Sequence, residues 1–350
     1  MDIWAEAGGC DGEVAYGVAA AQAVAQAGAQ ALKVQWLRPE TIFSKDAPRY
    51  DHTSGEWADQ AGGYKRVIYP YDRWEPVIAT CRANFIDFIP AVFEEAAVNA
   101  ADHMGIGHVK IASGDITNER LVRYAAGAKN ISHMTISTGA STMSEVESAV
   151  RWVQEEGPAT GITLLACHLE YPSPVSSASL GRIIALQSAW PNLAVGYSDH
   201  TPGLDTVPLA LILGAEVLEK HFTLHPGVGG GDHDFAVDRE ELGDMVRIGQ
   251  YVNAMVGDIE LEPSPGEWAA RSGARRSLYA RVDIGRGTVL TDDLIVPLRP
   301  YIEGAVGAED WSSVVEFKEH KGLCAMVDIL AGDVLTWKTV GSVGATLTVE

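Results

Sequence analysis

Two histidines close two neighbouring apolar stretches of the chain, in Gly196-Tyr-Ser-Asp-His-Thr201 and in Glu219-Lys-His-Phe222. If both stretches are adjacent strands, His200 and His221 stand side by side at one rim, and two imidazoles so placed can begin a divalent-metal site. The alternative is a pair of rim histidines satisfied by local hydrogen bonds. Two lysines sit inside apolar runs, Lys33 in Ala31-Leu-Lys-Val-Gln35 and Lys110 in Val109-Lys-Ile-Ala-Ser113. A buried lysine is costly without an anion. The anion is either a barrel carboxylate or a bound phosphate and carboxylate. Ser113-Gly114, Ser137-Thr-Gly139 and Ser198 add hydroxyl and backbone donors at further strand ends. Glu6, just before Gly8-Gly9-Cys10-Asp11-Gly12, and Asp115 are each a general acid or base, or else a helix cap or loop acceptor.

These residues need a frame that brings them to one rim. Apolar, β-rich stretches recur at Ile3–Ala7, Ala31–Trp36, Phe85–Val92, His108–Ser113, His133–Thr138, Ile162–Cys167, Ala194–Asp199 and Val217–Phe222. Amphipathic helical patterns fall between most of them, as at Val14–Ala27, Asn118–Ala128, Ser144–Glu156 and Leu204–Leu213, and Asp238–Val256 reads as the last helix. Eight strand-helix units predict a (β/α)8 TIM barrel, whose chemistry lies at the C-terminal ends of its strands. An open doubly wound sheet is the alternative, and the absence of a GxGxxG after the first stretch counts against it. Strand alternation puts Lys33 with Gln35, Ser198 with His200, and Glu219 with His221 on shared, axis-facing sides.

The chain has 350 residues, 47% of them hydrophobic, enough for a large core and an appendage. Its net charge of −21 argues against nucleic acid or an anionic membrane as partner. Four widely spaced cysteines (Cys10, Cys81, Cys167, Cys324) fit reduced thiols in a cytoplasmic protein. No apolar run has membrane-spanning length. The span from Arg38 to Tyr71 is long and polar and reads as an elaborated loop on the catalytic face. A Pro-, Glu- and Ser-rich change of composition follows residue 257. It divides the chain into a barrel over 1–257, a linker over 258–273 and a small β-rich domain over 274–350, with strand-like pieces at Ser277–Ala280, Val289–Leu290, Ile295–Leu298 and Val334–Leu335.

Ala31-Leu-Lys-Val-Gln-Trp-Leu-Arg-Pro-Glu40, Ser44-Lys-Asp46, Lys110-Ile-Ala-Ser-Gly-Asp-Ile-Thr-Asn118, Ser137-Thr-Gly139, Gly196–Thr201, Glu219-Lys-His-Phe-Thr223 and Gly231-Asp-His233 occur in one order. Together they resemble the sialic acid synthases, a family that includes the legionaminate, pseudaminate and spore-coat polysaccharide synthases. The tail, from Arg275-Arg-Ser-Leu278 through Leu298-Arg-Pro300 to Ile329-Leu-Ala-Gly-Asp333, is similar to the family's antifreeze-like (SAF) domain. The resemblance implies condensation of phosphoenolpyruvate with an aldehyde sugar. It implies a divalent cation at His200 and His221, manganese first and magnesium or cobalt as alternatives. It places Lys33, Lys110, Ser113, Ser137 and Ser198 around phosphoenolpyruvate, with Gln35 beside them. Glu6, Asp115, Tyr171 and Asp232 would line the acceptor and proton-transfer region. It also implies a domain-swapped homodimer in which Arg299 reaches the partner's site.

The chain departs from the family's pattern on the acceptor side. The first loop, Glu6-Ala-Gly-Gly-Cys-Asp-Gly12, is one residue short and has Cys10 but no histidine. A hydroxyl near phosphoenolpyruvate becomes Ala91, a serine becomes Leu169 in Cys167-His-Leu-Glu-Tyr-Pro172, and the last residue of an Arg-Pro-Gly becomes Tyr301. These changes point to the same reaction class with a different aldehyde. A metal-dependent aldolase or lyase that does not use phosphoenolpyruvate, and a catalytically silent ligand-binding relative, are the competing readings.

Overall fold

The structure is a computed structural model that describes residues 1–8, 10–44, 48–51, 56–59, 70–227, 231–257, 261–315 and 322–342. The chain divides into two compact units, Met1–Gly257 and Asp258–Glu350. In the first unit eight strands are laid down in chain order: β1 (Asp2–Glu6), β2 (Ala31–Trp36), β3 (Asp87–Val92), β4 (His108–Ile111), β5 (His133–Ser137), β6 (Gly161–Cys167), β7 (Ala194–Asp199) and β8 (Val217–His221). Each pairs in parallel with its sequence neighbours, and β1 pairs with β8, so the sheet closes. The helices between them are α1 (Val14–Ala27), α2 (Glu75–Ala83), α3 (Glu95–His103), α4 (Glu119–Ala126), α5 (Met143–Glu156), α6 (Gly181–Ala189) and α7 (Thr206–Ile212), and α8 (Arg239–Val256) follows β8. The architecture is a (β/α)8 barrel.

Local chemistry sets the helix bounds. α8 begins where the Asp238 carboxylate accepts from the backbone N–H groups of Glu240 and Glu241 while Glu241 reaches back, a reciprocal cap. α1 ends at Gly28, whose φ of 84° is the left-handed turn that glycine adopts freely. The helices cover the outer side of the strands with Ala20, Ala21, Val24, Val77, Val98, Val122, Val150, Ile183 and Leu242, all buried.

Alternation gives the barrel interior two different ends. Trp4, Ala31, Ile89, Leu165 and Val217 point inward near the strand starts and form an apolar plug. Above the plug the same faces carry Glu6, Lys33, Lys110, Ser198 and Glu219, and then His200 and His221 at the C-terminal rim. Gly196 lies within the plug layer. A Cβ added there would stand 2.6 Å from the Leu165 side chain and 2.8 Å from Cβ of Val217. The missing side chain is therefore what lets those two residues fill the axis.

The span 38–71 is not loop throughout. Described within it are a helical turn at Pro39–Ile42 and an antiparallel strand pair, Pro48–Asp51 with Glu56–Asp59. Lys45 and Asp46 of the Ser44-Lys-Asp46 motif lie outside the described residues, as does Gly9 of the first glycine-rich loop. No described helix is long and apolar enough to cross a membrane. The four cysteines are buried.

In the second unit, the stretch read from composition as a linker holds a helix, Pro265–Ala274. Ser264 and Glu267 form a reciprocal cap around Pro265 at the first turn. The Ser, Pro and Glu that suggested an unstructured link are thus a helix start. Beyond it, Ser277–Ala280 pairs antiparallel with Ile295–Leu298, and Cys324–Ala325 with Val340–Gly341. Val289 and Val334 make single bridges, to Cys324 and Tyr279. Leu278, Ile284, Leu290, Ile295, Val306, Val314 and Leu335 form this unit's own core.

Gly196→Ala should lower stability by about 1–3 kcal/mol through overpacking of the plug. Urea unfolding followed by circular dichroism checks this, and an unchanged midpoint would show that the plug has slack.

Candidate active site

Four charges lie inside the polar half of the barrel, in two pairs. Strand register sets Glu6 beside Lys33, and the Lys33 ammonium is in direct ion-pair contact with the Glu6 carboxylate. That carboxylate also accepts from the Gly8 N–H at 2.7 Å, with Gln35 Nε2 at 3.4 Å. Glu219 pairs with Lys110 from across the barrel and accepts from Ser198 Oγ at 2.8 Å. All four charged side chains are buried. Burial pushes the Glu219 carboxyl up, but Lys110 and then Lys33 more than offset it, so Glu219 stays ionised well below the usual carboxylate range. Burial, then the Lys110 charge, lowers the Lys33 pKa against the opposing pull of Glu219 and Asp232. Each lysine thus has a barrel carboxylate as its partner, the first of the two alternatives raised for it, and both lie in the polar half of one barrel.

At the rim, the His200 and His221 rings are 5.4 Å apart, centre to centre. Tyr171 lies 4.3 Å from the His200 ring, and Phe235 lies 4.8 Å from the His221 ring. His200 Nδ1 is 2.7 Å from the carbonyl oxygen of His168. A carbonyl only accepts, so Nδ1 carries the proton and Nε2 keeps its lone pair. Burial, reinforced by the neighbouring His221, lowers the His200 pKa to about 3, leaving a neutral imidazole at pH 7. His221 Nδ1 faces Asp232 Oδ2 at 3.3 Å without an aligned hydrogen bond. Burial raises Asp232, but His221 and Lys33 more than compensate and hold it below its ordinary value.

Polar groups without partners share this space. Ser137 Oγ, His221 Nδ1 and one oxygen of Glu219 are buried and unbonded. Such groups are expensive unless something meets them. Ser113 Oγ accepts from the Gly139 N–H at 3.0 Å and lies 3.1 Å from Cys167 Sγ. Ala91 is fully buried and registers against both Gln35 and Lys110, so a methyl group stands where a hydroxyl was expected.

Most of the residues singled out from sequence line the upper barrel: Glu6, Lys33, Gln35, Lys110, Ser137, Ser198, His200 and His221, with Tyr171 and Asp232 against the histidines. Asp115 sits half-buried in the turn after β4, where burial raises its pKa against a hydrogen bond from Asn118. Arg299 belongs to the second unit and is exposed. Three participants were absent from the expected site set: Glu219, Phe235 and the His168 carbonyl. Alternation had already turned Glu219 inward, so its signal was present. A main-chain acceptor has no signature in sequence.

A TIM barrel with paired lysines, carboxylates and imidazoles inside its C-terminal end has the layout of a barrel enzyme. The chain belongs to the NeuB family, which matches residues 20–260. It is 29% identical to the spore coat polysaccharide biosynthesis protein SpsE of Bacillus subtilis, over 85% of this chain and 83% of that one. It is 27% identical to the N,N'-diacetyllegionaminic acid synthase of Legionella pneumophila, over 91% and 88%. Among solved structures, the N-acetylneuraminic acid (sialic acid) synthetase of Leptospira borgpetersenii, in complex with citrate, superposes with a TM-score of 0.68 at 27% identity, over 76% of this chain and 88% of that one.

The depressed Glu219 pKa fixes the sign of a pH effect. The native state binds fewer protons here than the unfolded chain, so the stabilisation is complete above the unfolded value of about 4.3 and fades as pH falls below it. Glu219→Gln should therefore be less stable than wild type at pH 6 and should lose less stability between pH 5 and pH 3. Urea midpoints across that range check this, and parallel curves for the two proteins would refute the assignment.

Proposed function

We propose that the chain condenses phosphoenolpyruvate with an aldehyde sugar or related aldehyde. Water is consumed, inorganic phosphate is released, and a chain-extended 2-keto-3-deoxy acid is left. The observation that carries this reading is the presence of two buried lysines, Lys33 and Lys110, inside one barrel beside unpartnered polar groups, in a member of the NeuB family. Phosphoenolpyruvate has two anionic ends, and two ammonium groups in a low-dielectric cavity suit it. Ser137 has a hydroxyl to give, Ser113 follows the strand of Lys110, and Ser198 donates to Glu219, the partner of Lys110. Relatives named for legionaminic, pseudaminic and neuraminic acid synthesis support an amino-sugar aldehyde as the acceptor.

In this reading the methylene carbon of phosphoenolpyruvate forms the new bond to the aldehyde carbon, whose oxygen gains a proton. Water adds at the former enol carbon and phosphate leaves. Lys33 and Lys110 hold the carboxylate and phosphate and balance the charge of the departing phosphate. Glu6 and Glu219, each able to exchange its lysine for a proton, are placed to accept a proton from the water. Asp232, beside His221, and Asp115, at the end of β4, are the further proton-transfer candidates, and Tyr171 packs against the acceptor side.

His200 Nε2 with its free lone pair, and the unbonded His221 Nδ1, fit a divalent cation, with manganese the first choice and magnesium or cobalt as alternatives. Among the described residues no group of three His, Cys, Asp or Glu side chains is arranged to hold a metal, so water and substrate oxygens would complete the set. Such an ion supplies Lewis-acid polarisation of the acceptor carbonyl. The second unit is read as the family's SAF domain. The active form is read as a homodimer in which Arg299 of one subunit serves the other's site.

With manganese present, phosphate release from phosphoenolpyruvate should depend on an added N-acyl hexosamine or related aldehyde, and product mass should equal both substrates plus water less phosphate. Lys33→Ala and Lys110→Ala should raise KM for phosphoenolpyruvate at least tenfold, each losing roughly 1.5–3 kcal/mol of charge-assisted contact. KM for the aldehyde should change little. Condensation without phosphate release would favour an aldolase, and no turnover with any aldehyde would favour a silent relative. For the dimer, mixing Arg299→Ala with His221→Ala should restore part of the activity. Hetero-dimers that remain inactive would place Arg299 in its own subunit's site or in none.

A further inference from the structure

His200 and His221 each follow directly after one member of a single buried ion pair, Asp199 and Lys220. Lys220↔Asp199 is the last paired rung between β7 and β8, and both histidines lie one residue beyond it. Alternation turns the histidines toward the axis and the ion pair away from it, into the layer between barrel and helices. There Lys220 is fully buried and Asp199 nearly so.

Both oxygens of Asp199 and two of the three donors of Lys220 are bonded. Lys220 Nζ donates to Asp199 Oδ2 at 2.7 Å and to the Thr201 carbonyl at 2.6 Å. Asp199 Oδ1 accepts from Thr201 N at 2.9 Å and Thr201 Oγ1 at 2.8 Å. Asp199 Oδ2 also accepts from Thr206 Oγ1, at 2.6 Å, from the first residue of α7. The residues on both sides of His200 are thus tied to one ammonium group, and that ammonium belongs to the residue preceding His221.

A buried ion pair is weak evidence of a stabilising role. A buried ion pair replaced by apolar residues of similar volume often leaves a protein as stable or more so. What an apolar pair cannot do is fix direction. Among the described residues β7 and β8 do not pair past that rung, and this network lies at that point.

We propose that Asp199 and Lys220, with Thr206, form a positioning set that fixes the separation and tilt of the His200 and His221 rings. The proposal rests on the reading of those rings as metal ligands, and its test separates the two. The double variant Asp199→Leu/Lys220→Met removes the charges at similar volume, and Thr206→Val removes one donor and leaves the pair. Manganese affinity is measured by electron paramagnetic resonance. The His200 tautomer is read from imidazole nitrogen NMR shifts in metal-free protein, and thermal unfolding reports stability.

The double variant should keep its melting temperature within a few degrees and bind manganese about 10–100-fold more weakly, with a mixed His200 tautomer. Thr206→Val should show a smaller loss in the same direction. Unchanged affinity and ring shifts in the double variant would overturn the proposal. If the double variant does not fold, unchanged values in Thr206→Val overturn it. Wild type that takes no manganese, yet whose His200 tautomer shifts in the variants, would overturn the metal reading and support the positioning role.

Discussion

Lys33 with Glu6 and Lys110 with Glu219 put four charges inside a barrel whose lower half is sealed by Trp4, Ile89, Leu165 and Val217. Taking any one of these charges out of water alone would cost several kcal/mol, roughly the whole margin of a domain's stability. They persist because each has its partner, and Gly8, Gln35 and Ser198 hydrogen-bond to one oxygen of each carboxylate. The polar half of the barrel is therefore held ready without substrate, and the apolar plug beneath it is what keeps the dielectric low. The same plug needs Gly196 to close, so a residue with no side chain supports the electrostatics of the layer above it.

Pairing also gives the site a way to change state. An anionic substrate that draws Lys33 and Lys110 to itself leaves Glu6 and Glu219 without their counter-charges. A buried carboxylate that loses a cation becomes a stronger base. Under the proposed chemistry, substrate binding would then raise the basicity of the carboxylates at the step where a water must lose a proton. At the rim the histidines are fixed differently, one through the His168 carbonyl and both through the ion pair behind them, and burial keeps His200 neutral.

Much of this was readable from residue order. The eight strands lie where the apolar stretches do, to within a residue or two at most ends, because buried strands at regular spacing leave a strong period. Alternation put Lys33 with Gln35 and Glu219 with His221 on shared faces, and the contacts agree: Lys33 and Gln35 both reach Glu6, Glu219 reaches Lys110, and His221 stands against His200. Other features were hidden for physical reasons. The helix Pro265–Ala274 uses cap residues that also dominate loops, so composition alone read it as a link. The strands Pro48–Asp51 and Glu56–Asp59 are four residues each, too short for alternation to stand out in the sequence. Asp199 and Lys220 stood in the same motifs as the histidines, but their mutual bond crosses two strands and appears only once the register is known. The partner of each inward lysine was equally unreadable, since several carboxylates were available.

The central claim is that the paired lysines and the histidine pair form one site for one reaction. Phosphorus NMR relaxation of phosphoenolpyruvate, with manganese titrated into the protein, tests it most directly. The account predicts strong paramagnetic relaxation of the bound phosphate in wild type, its loss in His200→Ala/His221→Ala with binding of phosphoenolpyruvate retained, and its loss together with binding in Lys33→Ala/Lys110→Ala. Phosphoenolpyruvate that binds wild type with no manganese effect, or that binds the lysine double variant as well as it binds wild type, would contradict it.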